Sequence, residues 1–177
     1  MEIGLLESGG ITLRGIEPED LELFYKIEND RSLWEIGTCN VPYSRFALKQ
    51  FLSAQPSDIF TQGELRLAVS LKKNLQTIGL ADLANFNPID GRAEIGIALL
   101  KEFRGNGYGS EVLKALERYS KDILRMRQLC AYVSRNNNEQ SRRLFSANGY
   151  EEVAILPQWH YYKGEYEDLS VFSKILE

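Results

Sequence analysis

Alternating apolar and polar positions near the middle of the chain predict strands of a β-sheet. Over residues 65–71, apolar side chains alternate with polar ones, as in a strand that buries one face. A second strand is predicted over residues 76–86 and a third over 92–99. The turn residues Pro-Ile-Asp-Gly at 88–91 join these two into a predicted hairpin.

Apolar positions at helical spacing predict four helices around this region. The first begins at Pro18 with two acidic residues, which suit the positive end of a helix. The second follows the capping residue Ser44, after a predicted loop over residues 31–41. The third runs from a glycine-rich loop to about Ile123, and the fourth over residues 139–148. Further strands are predicted at residues 11–16, 129–133, 150–155 and 169–172.

The resulting order, β-α-α-β-β-β-α-β-α-β-β, predicts an α/β (α+β) fold. The strand–helix–strand unit around residues 93–133 should place two neighbouring strands parallel through a right-handed crossover. Hairpins elsewhere make the sheet mixed, with about seven strands and about four helices. At 177 residues, without repeats or a linker, the chain is predicted to form a single domain over residues 1–177.

Composition narrows the function classes. A net charge of −4 argues against a general nucleic-acid binder, which is usually basic. Cys39 and Cys130 are unclustered, so neither a zinc site nor a disulfide framework is indicated, and no metal is expected. The N-terminal residues lack the pattern of a secretory signal, and no apolar run has the ~20 residues that span a bilayer. We therefore expect a cytoplasmic protein without a membrane partner.

A glycine-rich loop carries the strongest chemical signal. Gly105, Gly107 and Gly109 stand at alternate positions between a predicted strand and a predicted helix, and Arg104 precedes them. Glycines let the backbone approach a bulky anion, and the first turn of a helix presents unpaired N–H groups to it. The spacing fits neither a Walker A loop nor a dinucleotide fingerprint. The loop therefore predicts a pyrophosphate cradle, the alternative being a tight turn without a ligand.

Two segments of the chain resemble the signatures of the GCN5-related N-acetyltransferases. Residues 104–109, Arg-Gly-Asn-Gly-Tyr-Gly, resemble the family's [Arg/Gln]-x-x-Gly-x-[Gly/Ala] motif. Residues 138–150 resemble its second signature, Asn-x-x-[Ser/Ala]-x-x-x-[Tyr/Phe]-x-x-x-Gly-[Phe/Tyr]. The element order matches over about residues 11–175. The opening Ile-Thr-Leu-Arg-Gly-Ile-Glu-Pro-Glu-Asp and the closing hairpin are similar to the ribosomal-protein alanine and spermidine N-acetyltransferases.

The resemblance implies that acetyl-CoA is the co-substrate and assigns residues to it. Backbone groups of one strand would hold the pantetheine arm and the thioester, namely Ile97, Ala98 and Leu99. The pyrophosphate would lie on the loop formed by Arg104, Gly105, Asn106, Gly107, Tyr108, Gly109 and Ser110. Asn138 and Phe145 of the second signature would meet the coenzyme from the other side. Many relatives carry a tyrosine at position 145 that protonates the departing thiolate. Here Tyr108, Tyr132 or a water molecule would have to replace it.

Acetyl transfer to an amine also requires a group that accepts the amine's proton. Glu94, on the strand before the loop, is the first candidate base, and Asp82 on the preceding strand is the second. With a two-residue turn at Asp90-Gly91 the two carboxylates would lie on opposite faces, and with a register one residue different they would share a face. The alternative is that both are exposed and pair with Arg92 or Arg66.

The acceptor site is expected around the end of the first helix and the closing hairpin. Its candidate residues are Glu28, Asp30, Trp34, Glu35, Trp159 and His160. The carboxylates would attract a cationic amine, and the aromatic side chains would form walls, although solvated loops and core packing explain them equally well. His160, the only histidine, could also act as a base at neutral pH.

These observations predict an acetyl-CoA-dependent N-acetyltransferase that acts on a primary amine by direct attack in a ternary complex. The amine would belong to a polyamine, a protein N-terminus or another small molecule. The alternative is an acyl-CoA-binding or regulatory module with little or no turnover, which the absence of tyrosine at position 145 favours. The last strands of this fold often pair between subunits, so the resemblance leaves open a monomer, a homodimer or a higher homo-oligomer.

Overall fold

One eight-stranded sheet organises the protein. The computed structural model describes residues 6–34, 41–54 and 58–177. The strands are β1 (Glu7–Ser8), β2 (Ile11–Arg14), β3 (Leu65–Leu71), β4 (Thr77–Asn87), β5 (Arg92–Leu99), β6 (Gln128–Ser134), β7 (Glu151–Tyr162) and β8 (Glu165–Ile175). The α-helices are α1 (Leu21–Glu28), α2 (Arg31–Trp34), α3 (Arg45–Ala54), α4 (Ile59–Gln62), α5 (Tyr108–Asp122) and α6 (Glu139–Ala147).

The mixed α/β architecture confirms the fold class predicted from the sequence. The strand order is β1-β2-β3-β4-β5-β6-β8-β7, and β5 with β6 is the parallel pair. The two-residue strand β1 raises the number of strands above the expected seven. Four of the helices correspond to predicted ones. The short helix α2 lies where a loop was expected, and the one-turn helix α4 was also not predicted.

Helices cover both faces of the sheet. On one face, α5 buries Val112, Leu113 and Leu116 completely against the inward side chains of β3 to β6. On the other face, Phe24 of α1 and Leu48 of α3 pack over the middle of the sheet. Burial of such side chains contributes roughly 1.5–3 kcal/mol each, so this two-sided core holds the central strands in place.

The two central strands, β5 and β6, separate partway along their length. Parallel pairing joins residues 92–94 of β5 to residues 128–130 of β6 and then stops. Beyond that point β5 continues to Leu99, still paired with β4, and β6 continues to Ser134, still paired with β8. A gap therefore opens between the C-terminal halves of β5 and β6, with unpaired backbone groups on both sides.

The β4–β5 hairpin differs from the two-residue turn considered above. Asp82 pairs with Gly96 and Ala84 with Glu94, and the register shifts between residues 84 and 87. Asn85, with φ +49°, lies in this bulge. Residues directly opposite in a sheet share a face, and so do residues two apart. Asp82 and Glu94 therefore lie on the same face, which is the one covered by α1 and α3.

Two structural features are absent from the described residues. No helix in the described ranges is long and apolar enough to cross a membrane. Within residues 6–34, 41–54 and 58–177, no group of three or more histidine, cysteine, aspartate or glutamate side chains is arranged to hold a metal ion.

Candidate active site

The glycine-rich loop connects the end of β5 to the start of α5. Gly105 and Gly107 have φ of +77° and +83°, a region that side chains with a Cβ rarely adopt. Gly107 is the N-cap of α5, so the N–H groups of Tyr108 and Gly109 have no intrahelical acceptor. A Cβ placed on Gly105 or Gly107 would meet no atom within 4 Å. The backbone conformation, and not crowding, therefore requires glycine, and the space above the loop is open.

Arg104 fastens this loop to the sheet. Its Nε donates a hydrogen bond of 2.8 Å to the carbonyl oxygen of Leu99, the last residue of β5. Asn106 in turn donates from Nδ2 to the carbonyl oxygen of Arg104, at 3.1 Å. A guanidinium held at this point adds positive charge beside the open N–H groups. The loop therefore has the geometry and charge of an anion-binding site.

Gly109 and Ser110 belong to the packing between two helices. A Cβ on Gly109 would come within 3.2 Å of the Leu144 side chain, so glycine lets α5 approach α6 closely. The Ser110 hydroxyl accepts a 2.9 Å hydrogen bond from Asn148 Nδ2. The side chain of Ser110 thus faces α6, and its backbone N–H donates a 3.1 Å hydrogen bond to the carbonyl oxygen of Gly107.

The two residues of the second signature are also engaged within the protein. Asn138 is the N-cap of α6, where its Oδ1 accepts a 3.1 Å hydrogen bond from the backbone N–H of Ser141. Phe145 is 5% exposed and packs in the core, with ring centroids 5.1 Å from Tyr150 and 6.0 Å from Phe172. Its contacts in the structure are packing contacts, and it has no proton to donate.

A network of charged side chains lies on the sheet face under α1. Arg66 of β3 bridges two carboxylates, with Nε 2.6 Å from Asp82 Oδ1 and Nη1 2.8 Å from Glu28 Oε1. All three side chains are at most one-third exposed. Arg66 was predicted only as an ion-pair partner, and its link to Glu28 joins helix α1 to the sheet beneath it.

The local environment alters the acid strength of this network. Burial raises the pKa of Asp82 above its ordinary value, and the adjacent charge of Arg66 offsets that effect only in part. The pKa of Arg66 is raised, because desolvation is outweighed by the charges of Asp82 and Glu28. Both oxygens of Asp82 accept hydrogen bonds from Arg66. Asp82 is thus committed to its ion pair.

Glu94 lies on the same face as Asp82 but, within the described part of the chain, is not held in an ion pair. It is partly exposed, and its carboxylate forms no hydrogen bond or ion pair with any residue in the described ranges. Its pairing partner on β6 is Cys130, the last residue before the two strands separate. Burial, with a smaller contribution from Glu94, raises the pKa of the Cys130 thiol to about 11. Glu94 is therefore the carboxylate that is available at the edge of the gap.

A cavity of about 460 Å³ adjoins this face beside the β4–β5 hairpin. Its lining includes Glu64, Ala84 and Arg92, and Ala84 is the residue directly opposite Glu94. Arg92 forms an ion pair with Asp90, 3.2 Å away. The cavity therefore continues the charged face beyond the gap.

A second buried carboxylate lies across the gap, on β8. Glu167 is 7% exposed and accepts hydrogen bonds from Ser134 Oγ, at 2.6 Å, and from Asn137 Nδ2. Ser134 ends β6, and Asn137 immediately precedes the cap of α6. The carboxylate thus anchors the β6–α6 loop to β8. Sequence reasoning missed Glu167 and both donors, because the β6–β8 pairing that unites them has no local signal.

The closing hairpin carries two of the predicted acceptor residues. The pairing of β7 with β8 shifts between Leu156 and His160, and Gln158 in this bulge has φ +48°. His160 pairs with Glu167, with its Nε2 3.9 Å from Glu167 Oε1. Trp159 is 67% exposed. By register, His160 and Glu167 lie on the same face as Glu94.

The other predicted acceptor residues lie at the margin of the described structure. Trp34 is the last residue of α2, and Glu35 falls outside the described residues, as does Cys39. Asp30 is engaged locally, because its Oδ1 accepts hydrogen bonds from the backbone and hydroxyl of Ser32.

Comparison with a library of protein families identifies this architecture. The model described as "Acetyltransferase (GNAT) domain" matches residues 11–151. A spermidine N(1)-acetyltransferase of Vibrio cholerae is 27% identical over 160 residues, which are 90% of this chain and 89% of the relative. An uncharacterized N-acetyltransferase of Bacillus subtilis is 26% identical, covering 96% of this chain and 95% of that protein.

Solved structures of acetyltransferases resemble this fold over nearly the whole chain. The spermidine N-acetyltransferase of Vibrio cholerae in complex with CoA and spermine superposes with a TM-score of 0.83 at 24% identity, over 94% of this chain and 96% of the other. A dodecameric form of the Vibrio cholerae enzyme gives a TM-score of 0.79 at 24% identity, covering 94% of each chain.

Proposed function

This chain belongs to the acetyltransferase (GNAT) family and acetylates an amine with acetyl-CoA, and we propose that its acceptor is a polyamine or a similarly polycationic primary amine. The observation that carries the proposal is the position of a carboxylate-rich sheet face at the edge of the β5–β6 gap. The glycine-rich loop lies at the other end of the same stretch of β5. Donor and acceptor can therefore meet where the two strands separate.

The donor is proposed to lie along β5. The N–H groups that follow Gly105 take the pyrophosphate, and Arg104 supplies a positive charge beside them. Within the stretch Ile97, Ala98 and Leu99, the backbone groups that face the gap and have no partner among the described residues hold the pantetheine arm. The carbonyl oxygen of Leu99 is already bound to Arg104. From Leu99 back to Glu94 the strand spans about 17 Å, at ~3.3 Å per residue. The arm thus carries the thioester from the loop toward Glu94.

Glu94 is proposed to accept the proton of the attacking amine. A free alkylammonium with a pKa near ~10.4 is neutral in about one molecule in a few thousand at pH 7, a cost of roughly 4 to 5 kcal/mol. Glu94, which forms no ion pair among the described residues, is available for this proton, directly or through water. Asp82 is held by Arg66 and contributes charge instead. The neutral nitrogen then attacks the thioester carbonyl.

The state of Cys130 supports direct attack over an acyl-enzyme. A cysteine acts as a nucleophile through its thiolate. With a pKa of about 11, Cys130 is a thiolate in about one molecule in ten thousand at pH 7. Its position beside Glu94 is therefore poorly suited to accept the acetyl group. The transfer is proposed to take place in a ternary complex of protein, acetyl-CoA and amine.

The charge of the acceptor face favours a polycation. Glu28, Asp82 and Glu94 carry three negative charges on this face, and Arg66 carries one positive charge. At partial burial, each unbalanced charge attracts an ammonium group several ångströms away by roughly 1 to 4 kcal/mol. The adjoining cavity, with Glu64 in its lining, offers room for the rest of an elongated amine. Similarity to spermidine acetyltransferases supports the same substrate class.

The test is a panel assay that follows free coenzyme A thiol with different amines. We expect kcat/KM for spermidine and spermine to exceed that for a neutral N-terminal peptide, with an advantage that falls as salt increases. Asp82→Asn should lower kcat/KM for polyamines by a larger factor than it lowers kcat/KM for a monoamine. Equal rates with all amines, or a preference for the peptide, would overturn the polycation assignment.

A second candidate function is an acyl-CoA-binding module with little turnover. The observation that favours it is the phenylalanine at position 145, buried in the core. Coenzyme binding without thiol release across the whole panel would establish this alternative.

We also propose that copies of this chain associate through β7. This 12-residue strand ends the sheet, and most of its side chains are exposed, including Val153, Ile155 and Tyr161. A long apolar edge strand is a template for pairing with another chain. The dodecameric form of the Vibrio cholerae relative is consistent with assembly. Analytical ultracentrifugation should detect an oligomer that Ile155→Lys weakens, whereas a monomer at all concentrations would refute the proposal.

A further inference from the structure

The residues assigned so far do not supply the proton that the departing thiolate of coenzyme A needs. Collapse of the tetrahedral intermediate breaks the carbon–sulfur bond and leaves a thiolate, whose conjugate acid has a pKa near ~8.5. A hydrogen-bond donor at the sulfur lowers the barrier to that step. The buried phenyl ring of Phe145 has no such proton. Some other group beside the gap must supply it.

We infer that Tyr132 donates its phenolic proton to the departing sulfur of coenzyme A, an assignment that rests on the function proposed above. Tyr132 lies two residues after Cys130, the last residue of β6 that pairs with β5. It is therefore the first residue on its face beyond the point where the strands separate. The residue is 46% exposed, so its side chain is not enclosed in the core.

The register places Tyr132 on the same face as the proposed base. Glu94 pairs with Cys130, and side chains two residues apart on a strand point to the same side. Glu94 and Tyr132 therefore flank the gap from opposite strands. An acid and a base so placed can serve the two partners of one acetyl transfer, the sulfur and the nitrogen.

Five other tyrosines are less suitable. Tyr108, at the start of α5, is partly buried and packs against the main core, as does Tyr119. Tyr150 is 3% exposed beneath Phe145. Tyr161 and Tyr166 contact each other in the distal part of the closing hairpin. Among these residues, Tyr132 alone combines exposure with a position at the separation of β5 and β6.

The charges around Tyr132 keep its proton in place until it is needed. Burial raises the pKa of the phenol above its ordinary value, and Glu94 and Cys130 raise it further, whereas Arg92 lowers it. The residue opposite Tyr132 on β8 is Val171, which does not titrate. The hydroxyl therefore remains protonated at neutral pH and serves as a donor.

The proton balance closes without another reactant. The ammonium first loses one proton through Glu94 to solvent. The neutral nitrogen then forms its bond to the acetyl carbon and loses its second proton to Glu94, which is again ionised. The carbon–sulfur bond breaks, and the sulfur takes the proton of Tyr132. The phenolate then recovers a proton from Glu94, directly or through solvent. The net result is an amide and a free thiol, with both side chains restored.

The test compares Tyr132→Phe with Tyr166→Phe as a matched control. We expect Tyr132→Phe to lower kcat about 100-fold with little change in the KM for acetyl-CoA, because the group acts after binding. The control should retain the wild-type rate. Replacing Tyr132 by a fluorinated tyrosine, whose phenol is more acidic, should move the alkaline fall in kcat to lower pH. A merely structural role would not shift that profile.

The outcomes separate this inference from the function on which it rests. If the wild-type protein releases no thiol with any amine, the proposed function fails. If the wild-type protein is active and Tyr132→Phe retains its kcat, the inference alone is refuted. An unmoved alkaline limb in the fluorotyrosine protein would refute it as well, even if Tyr132→Phe were slow.

Discussion

Replacing Gly107 by alanine should separate the coenzyme-binding role of the loop from its part in folding. Gly107 has φ +83° and ψ −9°, and an added Cβ would meet no protein atom within 4 Å. The cost to the unliganded protein is therefore the left-handed backbone alone, about 1 to 2 kcal/mol. Gly63, the C-cap of α4, has φ +73° and ψ 6°, with the same open surroundings. Gly63→Ala is thus a matched control that lies outside the loop.

Both variants should lose similar stability, but only one should lose its response to coenzyme. For a chain of this size, 1 kcal/mol shifts Tm by about 2 to 4 °C, so each substitution should lower Tm by roughly 2 to 8 °C. Coenzyme A at about 100 times its Kd stabilises the wild-type protein by about 2.7 kcal/mol, or roughly 5 to 11 °C. Gly63→Ala should retain that increase. A 100-fold weaker Kd in Gly107→Ala would leave about 0.4 kcal/mol, or roughly 1 to 2 °C.

Differential scanning fluorimetry of the wild-type protein and both variants, with and without coenzyme A, measures all six Tm values in one experiment. Equal protection of Gly107→Ala and Gly63→Ala would refute the assignment of the pyrophosphate to this loop. An equal loss of protection in both variants would mean that the effect is general destabilisation. Isothermal titration at a temperature where both variants are folded would distinguish these cases.

Three further predictions address the chemistry and its scaffold. Glu94→Gln should lower kcat at least about 100-fold with little change in the KM for acetyl-CoA, and an unchanged pH–rate profile would contradict its role as the base. Burial raises the pKa of Cys130, so alkylation of its peptide, followed by mass spectrometry, should rise with a midpoint at about pH 11 instead of the pH 8 to 9 of an exposed thiol. A midpoint at pH 9 or below would contradict the buried setting. Glu167→Gln should lower the free energy of unfolding by about 1 to 3 kcal/mol and raise the KM for acetyl-CoA, because the β6–α6 loop loses its charged acceptor. An unchanged KM for acetyl-CoA would contradict a role of the β6–α6 loop in binding the coenzyme.

Local signals in the sequence predicted the turn at the glycine-rich loop and the start of α5. The left-handed backbone at Gly105 and Gly107 is a requirement of individual residues, and the following helix begins where its apolar spacing begins. Both features are decided within a few residues of the chain. The period-two alternation of β3 likewise identified a strand without knowledge of its neighbours.

Features that depend on strand register could not be predicted in the same way. Whether Asp82 and Glu94 share a face is decided by a bulge around Asn85, and one inserted residue reverses the answer. The carboxylate of Glu167 looks like any solvated glutamate in the sequence. It becomes buried because β8 pairs with β6, more than 30 residues away in the chain. Long-range strand pairing of this kind leaves no periodic pattern in the sequence from which it could be predicted.

The most direct test of the account follows free thiol and acetylated amine in one sample of purified protein, acetyl-CoA and spermidine. Direct transfer at the β5–β6 gap predicts equal amounts of the two products, and no thiol release above the hydrolytic background when the amine is omitted. Thiol release without amine, with the acetyl group recovered on Cys130, would contradict direct attack. Binding of acetyl-CoA with no acetylated product from any amine would contradict the central claim.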